Sequence, residues 1–261
     1  MGGDLGEKPW TTSSTRNLNV FLLSVILGLC LYIFETRQSG SSGSHECLRS
    51  YGAYHGHVYS NTASGTAGPA RCLIESKWMK VQQHTVRLPG TDKLIDDWLW
   101  IDYHDRINVL VEAPRKVTDR EPQFLIFEQS KYALEGRMSK AIIGGIIEPG
   151  EEPETAAARE VKEEMGMTCQ KLHFLGRFRT DVNRGMGWVN SFLAMQCKEA
   201  KKAGNDKTEK EEEVGVADTE KQKLKTIGLR ELRRAATAGE FLEVQWSATV
   251  AMALLHPELG Q

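Results

Sequence analysis

Hydrophobic and polar residues alternate, or give way to short apolar runs, along the middle of the chain from residue 84 onward. These segments are rich in β-branched and aromatic residues, which favours strands over helices. Four strands are predicted here, at residues 84–88, 98–103, 107–112 and 124–128. Asp92 and the stretch 114–122, which begins and ends with proline, indicate turns between them.

The pattern becomes helical at Pro153, which suits the first turn of a helix because its missing N–H costs nothing there. Gly166 suits the left-handed conformation just past the end of that helix. Further strands are predicted at residues 172–178, 188–195 and 224–227, and two closing helices at 229–238 and 244–255. The run 198–220 consists largely of Lys and Glu and is expected to be a solvated loop.

An apolar segment lies near the amino end, at residues 18–34, and carries no charge from Val20 to Phe34. A membrane-spanning helix needs about 20 apolar residues, so this segment is short for a span, and it is long for the core of a signal peptide. An uncleaved anchor, a cleaved signal and a buried helix are the three interpretations. We take the anchor as the working hypothesis because Tyr32 and Phe34 suit the membrane interface.

The anchor hypothesis also defines the domain organisation. It predicts a polar tail at residues 1–17, the hydrophobic segment at 18–34, a linker at 35–71 and a compact domain at 72–261. The protein would then be a single-pass membrane protein of the secretory pathway or another organelle, with the membrane as a partner. Signal cleavage would instead release a secreted or luminal protein.

Composition and charge exclude some classes of function. The 261 residues are 40% hydrophobic and 26% charged, as in an ordinary globular protein. The net charge of -2 gives no general attraction to nucleic acid, so no nucleic-acid partner is expected. The five cysteines form no CxxC pair. Cys47 and Cys72 are candidates for a disulfide, but unpaired thiols are the favoured interpretation because spacing alone does not define a bridge.

The helix that begins at Pro153 carries the most informative chemistry. Glu160, Glu163 and Glu164 fall at positions i, i+3 and i+4, so their carboxylates share one face. Like charges at this spacing repel, and the arrangement becomes favourable when a cation lies among the carboxylates. Magnesium is a hard cation that prefers oxygen ligands and commonly bridges carboxylates to substrate phosphates. The cluster therefore predicts a magnesium site for a diphosphate.

The whole segment 145–167 resembles the Nudix box, G-x5-E-x7-R-E-U-x-E-E-x-G-U, where U is aliphatic. Every specified position of that pattern is matched, with the correct spacing, by Gly145, Glu151, Arg159, Glu160, Val161, Glu163, Glu164, Gly166 and Met167. On average composition, a chance match of this completeness is rarer than about one in a million at a given start.

This resemblance implies an α/β (α+β) Nudix fold, in which a mixed β-sheet is sandwiched between helices. It also implies hydrolysis of a nucleoside diphosphate linked to another group. By position, Glu160, Glu163, Glu164 and the carbonyl of Gly144 would hold Mg²⁺, with Mn²⁺ as an alternative ion. Arg159 would be an orienting residue beside these catalytic glutamates.

Outside the box, the order of elements resembles the ADP-ribose or ADP-sugar pyrophosphatase branch of the family. The resemblance implies release of a nucleoside monophosphate and a sugar phosphate, and a homodimer is an alternative to a monomer. The residues expected to bind substrate are Lys131, Arg179, Arg184 and Trp188. Some members of the branch use a further catalytic glutamate after the box, for which Glu213 and Glu220 are the candidates within 209–220.

Two alternatives stay open. The substrate could be another nucleoside diphosphate derivative, such as a dinucleoside polyphosphate or a coenzyme pyrophosphate. The domain could also be a Nudix module that binds nucleotide without cutting it, although such relatives usually lose box glutamates. All three glutamates are present here, which favours an enzyme.

Overall fold

The structure is a computed structural model, and it describes residue 47 and residues 67–68, 70–88, 90–200 and 222–259. All of these residues lie in the unit Glu46–Gln261. The predicted tail, the hydrophobic segment 18–34, most of the linker and the charged run 201–221 lie outside the described residues. Glu213 and Glu220 are within that last run.

The described chain consists of ten strands, three α-helices and one short 3₁₀ helix. The strands are β1 (Arg71–Glu75), β2 (Met79–Arg87), β3 (Leu94–Tyr103), β4 (Arg106–Glu112), β5 (Gln123–Gln129), β6 (Ser139–Ala141), β7 (Ile143–Ile146), β8 (Met167–Asp181), β9 (Gly185–Glu199) and β10 (Gln222–Gly228). The helices are α1 (Pro153–Met165), α2 (Leu229–Thr237) and α3 (Val244–Leu254), and the 3₁₀ helix is Tyr132–Leu134.

All ten strands join one mixed sheet. Its main path runs β1-β2-β3-β9-β4-β5-β10, while β6 pairs with β5, β7 with β4 and β8 with β9. Strand β9 is parallel to both β3 and β4, and the other pairs are antiparallel. The central strand β4 therefore has β9 on one side and β7 on the other, and β7 carries the glycines that begin the Nudix-like box.

Helices cover the centre of this sheet on both faces. Five consecutive residues of β4, Ile107 to Val111, are buried, and consecutive residues of a strand point to opposite faces. Helices α1 and α3 both pack against β4. Helix α3 buries Trp246, Thr249, Val250 and Ala253, which have the spacing of one helical face. The predicted mixed sheet between helices is confirmed.

The predicted elements are present, but several bounds differ. The two strands predicted at 172–178 and 188–195 are the central parts of β8 and β9, which are each 15 residues long and form one hairpin. Strands β1, β6 and β7 were not predicted. Strand β7 contains Gly144 and Gly145, and glycine disfavours a strand unless another group approaches the backbone closely. At Gly145 that group is the carboxylate of Glu160.

The favoured interpretation of the cysteines as unpaired thiols was wrong. Disulfides join Cys47 to Cys72 and Cys169 to Cys197, with Cα–Cα distances of 5.2 Å and 3.9 Å. The second bridge forms because the register of β8 against β9 places Cys169 directly opposite Cys197. Spacing along the chain does not reveal this, since the register of the hairpin is a property of the folded sheet.

The expected membrane localisation also requires correction. Among the described residues, no helix is long and apolar enough to cross a membrane. The longest of them, α1, has 13 residues, whereas a span needs about 20 at a rise of 1.5 Å per residue. The single-pass membrane assignment and the membrane partner that followed from it were therefore wrong and are not carried further.

One surface cluster ties strand β6 to helix α2 and gives a prediction about acid stability. The Glu240 carboxylate accepts bonds from Arg234 at 2.5 Å and Lys140 at 2.8 Å. The Arg234 guanidinium, followed by the Lys140 ammonium, lowers the pKa of Glu240 from 4.5 to about 2. A lowered pKa contributes stability that is complete above the ordinary value and is lost as the pH falls through the folded value.

We therefore expect Glu240→Gln to reduce the free energy of unfolding at pH 7 by at most about 1 kcal/mol, because solvent screens this exposed cluster. The difference between the two proteins should shrink as the pH falls from 4.5 towards 2. Thermal unfolding measured across this range checks the result. A difference that grew on acidification would contradict it.

Candidate active site

The candidate site begins where the box strand β7 meets helix α1. Gly145 lies so close to this helix that an added Cβ would be 2.2 Å from Oε1 of Glu160. No side chain fits in that space, which explains why a glycine stands in the middle of a strand. The absence of a side chain at Gly145 lets the Glu160 carboxylate rest directly on the strand backbone.

Arg159 organises the carboxylates of the box. Its Nε and Nη2 donate to the two carboxylate oxygens of Glu151 at 2.9 Å and 3.0 Å. Its Nη1 donates to Glu160 at 2.8 Å and to Glu163 at 3.2 Å, and Nη2 also donates to the carbonyl of Ile146 at 3.2 Å. One guanidinium thus joins the loop before the helix to two of the three glutamates that are predicted metal ligands. These bonds raise the pKa of Arg159 and lower that of Glu151.

Burial and a like charge both act on Glu160. Its side chain is only 13% exposed, and desolvation raises the pKa of its carboxyl, with the charge of Glu163 adding to the effect. Arg159 opposes this rise but does not cancel it. Glu163 is 58% exposed and therefore more fully hydrated. A further cation beside Glu160 would stabilise its charged form.

The residues present fit a divalent metal ion. The predicted ligands Glu160, Glu163, Glu164 and the carbonyl of Gly144 are all hard oxygen donors, which suit Mg²⁺. The lack of a side chain at Gly145 lets the Glu160 carboxylate occupy the position that a Cβ would otherwise take. The structure brings Glu160 and Glu163 to the same nitrogen of Arg159 and places Glu164 beside Gly144 and Gly145.

A cavity of about 340 Å³ opens next to these residues. Glu164 from α1 lies on its wall, together with the glycines of β7. The other described residues that line it come from β3, β4, β5, β10, α3 and the segments beside them: Tyr103, Arg106, Asn108, Phe127, Gln129, Lys131, Ile142, Ile146, Gln222, Glu243 and Trp246. Its volume falls within the range of small-molecule sites.

Charges of both signs face this cavity. Arg106 from β4 lies 5.2 Å from the ring of Tyr103, and its Nη1 is 4.0 Å from Oε1 of Glu243, which precedes α3. Burial raises the pKa of Glu243, and the positive charges of Arg106 and Lys131 act in the opposite direction. Two cations therefore stand close to Glu164 and the box glycines, as an anionic substrate requires.

The structure separates the predicted substrate-binding residues into two groups. Lys131 lines the cavity, but Arg179, Arg184 and Trp188 are not among the described residues that line it. The latter three instead take part in separate cation–π contacts between guanidinium and indole groups on the sheet. Arg179 lies 4.9 Å from Trp100 and 5.0 Å from Trp188, and Arg184 lies 4.8 Å from Trp98.

Sequence reasoning missed most residues of the cavity, among them the polar or aromatic side chains Arg106, Asn108, Glu243 and Trp246. A signal for Asn108 was present, since it is a polar residue inside the apolar run of β4. No comparable signal marks Glu243 or Trp246, which reach the cavity only because α3 packs against β4.

The NUDIX domain family matches residues 102–243, which is more than half of the chain, and the chain belongs to the Nudix family. It is similar to the ADP-ribose pyrophosphatase of Bacillus subtilis (strain 168), with 34% identity over 125 residues. That match covers 47% of this chain and 64% of the relative, so it spans less than two thirds of the relative's length.

A solved structure described as an ADP compounds hydrolase has the same fold. Its TM-score is 0.54 at 16% sequence identity, and the likeness covers 73% of this chain and 92% of that one. The predicted family is thus confirmed, together with the resemblance to its ADP-ribose pyrophosphatase branch.

Proposed function

We propose that this protein hydrolyses the diphosphate linkage of a nucleoside diphosphate sugar such as ADP-ribose, releasing a nucleoside monophosphate and a sugar phosphate. The observation that carries the proposal is the cavity in which Glu164 and the box glycines lie beside Arg106 and Lys131. One carboxylate proposed to bind the metal and two cations for a diphosphate thus line one small space. The name of the Bacillus subtilis relative supports the choice of ADP-ribose.

In this proposal Glu160, Glu163, Glu164 and the carbonyl of Gly144 hold Mg²⁺. A divalent ion in such a site neutralises a diphosphate and lowers the pKa of bound water. Arg159 keeps the Glu160 and Glu163 carboxylates in place through the bonds at 2.8 Å and 3.2 Å. A fixed position for these groups reduces the reorganisation needed during reaction.

The cationic side chains have a separate role. Arg106 and Lys131 offset the charge of the diphosphate as it enters a cavity that also contains Glu164 and Glu243. Water oxygen bonds to one phosphorus while the bond from that phosphorus to the bridging oxygen breaks. The bridging oxygen leaves with the other phosphate, so the two products together contain the substrate and one water.

The test uses the full chain with Mg²⁺ and a panel containing ADP-ribose, an ADP-hexose, a dinucleoside polyphosphate and a coenzyme pyrophosphate. We expect ADP-ribose to give AMP and ribose 5-phosphate in equal amounts, with the reaction stopped by a chelator and restored by Mg²⁺. Faster cleavage of the polyphosphate or the coenzyme would favour the alternative substrate classes. Absence of any phosphate product across the panel would indicate a binding module.

A further inference from the structure

Asn108 is a buried polar residue whose amide is not fully satisfied by the described part of the protein. It lies in the middle of β4 between Ile107 and Val109, and it is 3% exposed. Its Nδ2 has no hydrogen-bond partner among the described residues. An unsatisfied buried donor is destabilising, and an apolar residue at this position would avoid that cost. A ligand in the cavity would satisfy it, because Asn108 lies on the cavity wall.

Arg106 provides a second donor of the same kind. Its buried Nε also lacks a hydrogen-bond partner among the described residues. Arg106 and Asn108 are two positions apart on one strand, so their side chains point to the same face of the sheet. Both line the cavity. Two residues with unsatisfied donors therefore stand side by side on the wall of the cavity where a substrate would lie.

Glu243 supplies an acceptor close to the guanidinium of Arg106. It reaches the cavity from the residue before α3, and its distance of 4.0 Å from Arg106 Nη1 is too long for a direct hydrogen bond. A hydroxyl group can accept from a nitrogen donor and donate to a carboxylate at the same time. Two donors and a carboxylate that line the same cavity, with the carboxylate close to Arg106, therefore suit neighbouring hydroxyl groups.

The position of Asn108 relative to the box identifies which part of the substrate carries these hydroxyls. Asn108 pairs with Gly144 across the sheet, and its Oδ1 would lie 3.2 Å from a Cβ on that glycine. A group held at Asn108 therefore adjoins the place where the diphosphate is cut. In a nucleoside diphosphate sugar, the groups attached directly to the diphosphate are sugars, and the base lies one sugar further away.

We propose that Asn108, Arg106 and Glu243 form a subsite that binds the hydroxyl groups of the sugar attached to the diphosphate. Through this subsite the enzyme selects nucleoside diphosphate sugars over other diphosphates. This inference rests on the proposed function for its substrate, and it assigns specificity to three residues that lie outside the Nudix box.

The test compares two ligands, ADP-ribose and an ADP that carries a simple ethyl group on its terminal phosphate. Both contain the nucleoside and the diphosphate, but only ADP-ribose has a second sugar. Binding is measured calorimetrically without divalent ions, so the result does not depend on turnover, and KM and kcat are measured with Mg²⁺. The variants are Asn108→Leu, which has a similar volume, and Glu243→Gln. Glu258→Gln is the control, since Glu258 pairs with Lys171 outside the cavity.

We expect Asn108→Leu and Glu243→Gln each to bind ADP-ribose about tenfold more weakly, with a matching rise in KM and little change in kcat. Binding of the ethyl compound should stay within about twofold, which locates the subsite at the second sugar. Asn108→Leu should unfold at the same temperature as the natural protein or higher, because a buried unsatisfied donor has been removed.

A second result would still support sugar recognition. If both variants bind both ligands equally more weakly, and if replacing the nucleoside ribose by 2′,3′-dideoxyribose makes no further difference to either variant, the subsite lies at the nucleoside sugar. Three results would overturn the inference. They are unchanged binding of ADP-ribose by Asn108→Leu, a lowered melting temperature of that variant with unchanged KM, and no binding of ADP-ribose by the natural protein. Binding without any hydrolysis would remove the proposed function but leave the subsite intact.

Discussion

Replacing Glu164 with glutamine is expected to lower kcat by about a hundredfold to a thousandfold while the protein folds normally. Loss of one ligand charge weakens a metal site that would supply several kcal/mol of transition-state stabilisation. Glutamine has nearly the same shape, and its neutrality relieves the repulsion between Glu164 and Glu160 on one helical face. The measurement is kcat for ADP-ribose at saturating Mg²⁺, together with thermal unfolding.

The matched control for this prediction is Glu154→Gln, which makes the same chemical change in the first turn of α1, where the residue is exposed. It should retain near-normal activity because Glu154 does not line the cavity that contains Glu164. A Glu164→Gln protein as active as this control would show that Glu164 is not a metal ligand.

Arg159→Met is expected to reduce the free energy of unfolding by about 2–4 kcal/mol and to lower activity as well. The side chains of Glu151 and Glu160 are only 11% and 13% exposed, so removing Arg159 leaves two nearly buried carboxylates without their cation. Glu160 would then protonate or move, and in either case the metal site would be impaired. Chemical denaturation at pH 7 measures the loss of stability.

Arg234→Met is the appropriate comparison, because Arg234 also pairs with two carboxylates, Glu231 and Glu240, but is 52% exposed. Its loss of stability should be clearly smaller, since water replaces exposed ion pairs. The double variant Arg159→Met with Glu151→Gln should recover part of the stability that Arg159→Met alone loses. A double-mutant cycle measures this coupling between Arg159 and Glu151. Equal losses for Arg159→Met and Arg234→Met would contradict this account of Arg159.

Helix α1 was predicted closely because its signals are local. Pro153 in the first turn marks the start of the helix, and Gly166, in the left-handed conformation at φ 63°, marks its end. Each signal lies within a few residues of the helix end that it marks. The shared face of Glu160, Glu163 and Glu164 follows from helical geometry alone. The same holds for the strands β4 and β5, whose continuous apolar runs reflect burial on both faces.

Errors arose where the answer depended on contacts between distant segments. The disulfide between Cys169 and Cys197 requires the register of two long strands. The substrate-binding role of Arg179, Arg184 and Trp188 stays a prediction, and only the fold shows that Arg179 contacts Trp100 and Trp188 while Arg184 contacts Trp98. Residue type indicates what a side chain can do, and its position in the sheet decides which partner it meets.

The amino-acid sequence by itself determined the box helix, the three glutamates on one face of that helix and the complete match to the Nudix box, from which the family and its mixed sheet were inferred. Each of these depends on neighbours within a few positions, so spacing is sufficient to predict it. Only the tertiary structure decided which residues complete the cavity beside Glu164. Arg106 and Asn108 come from β4 and Glu243 from the start of α3, and they meet because the helix packs across that strand.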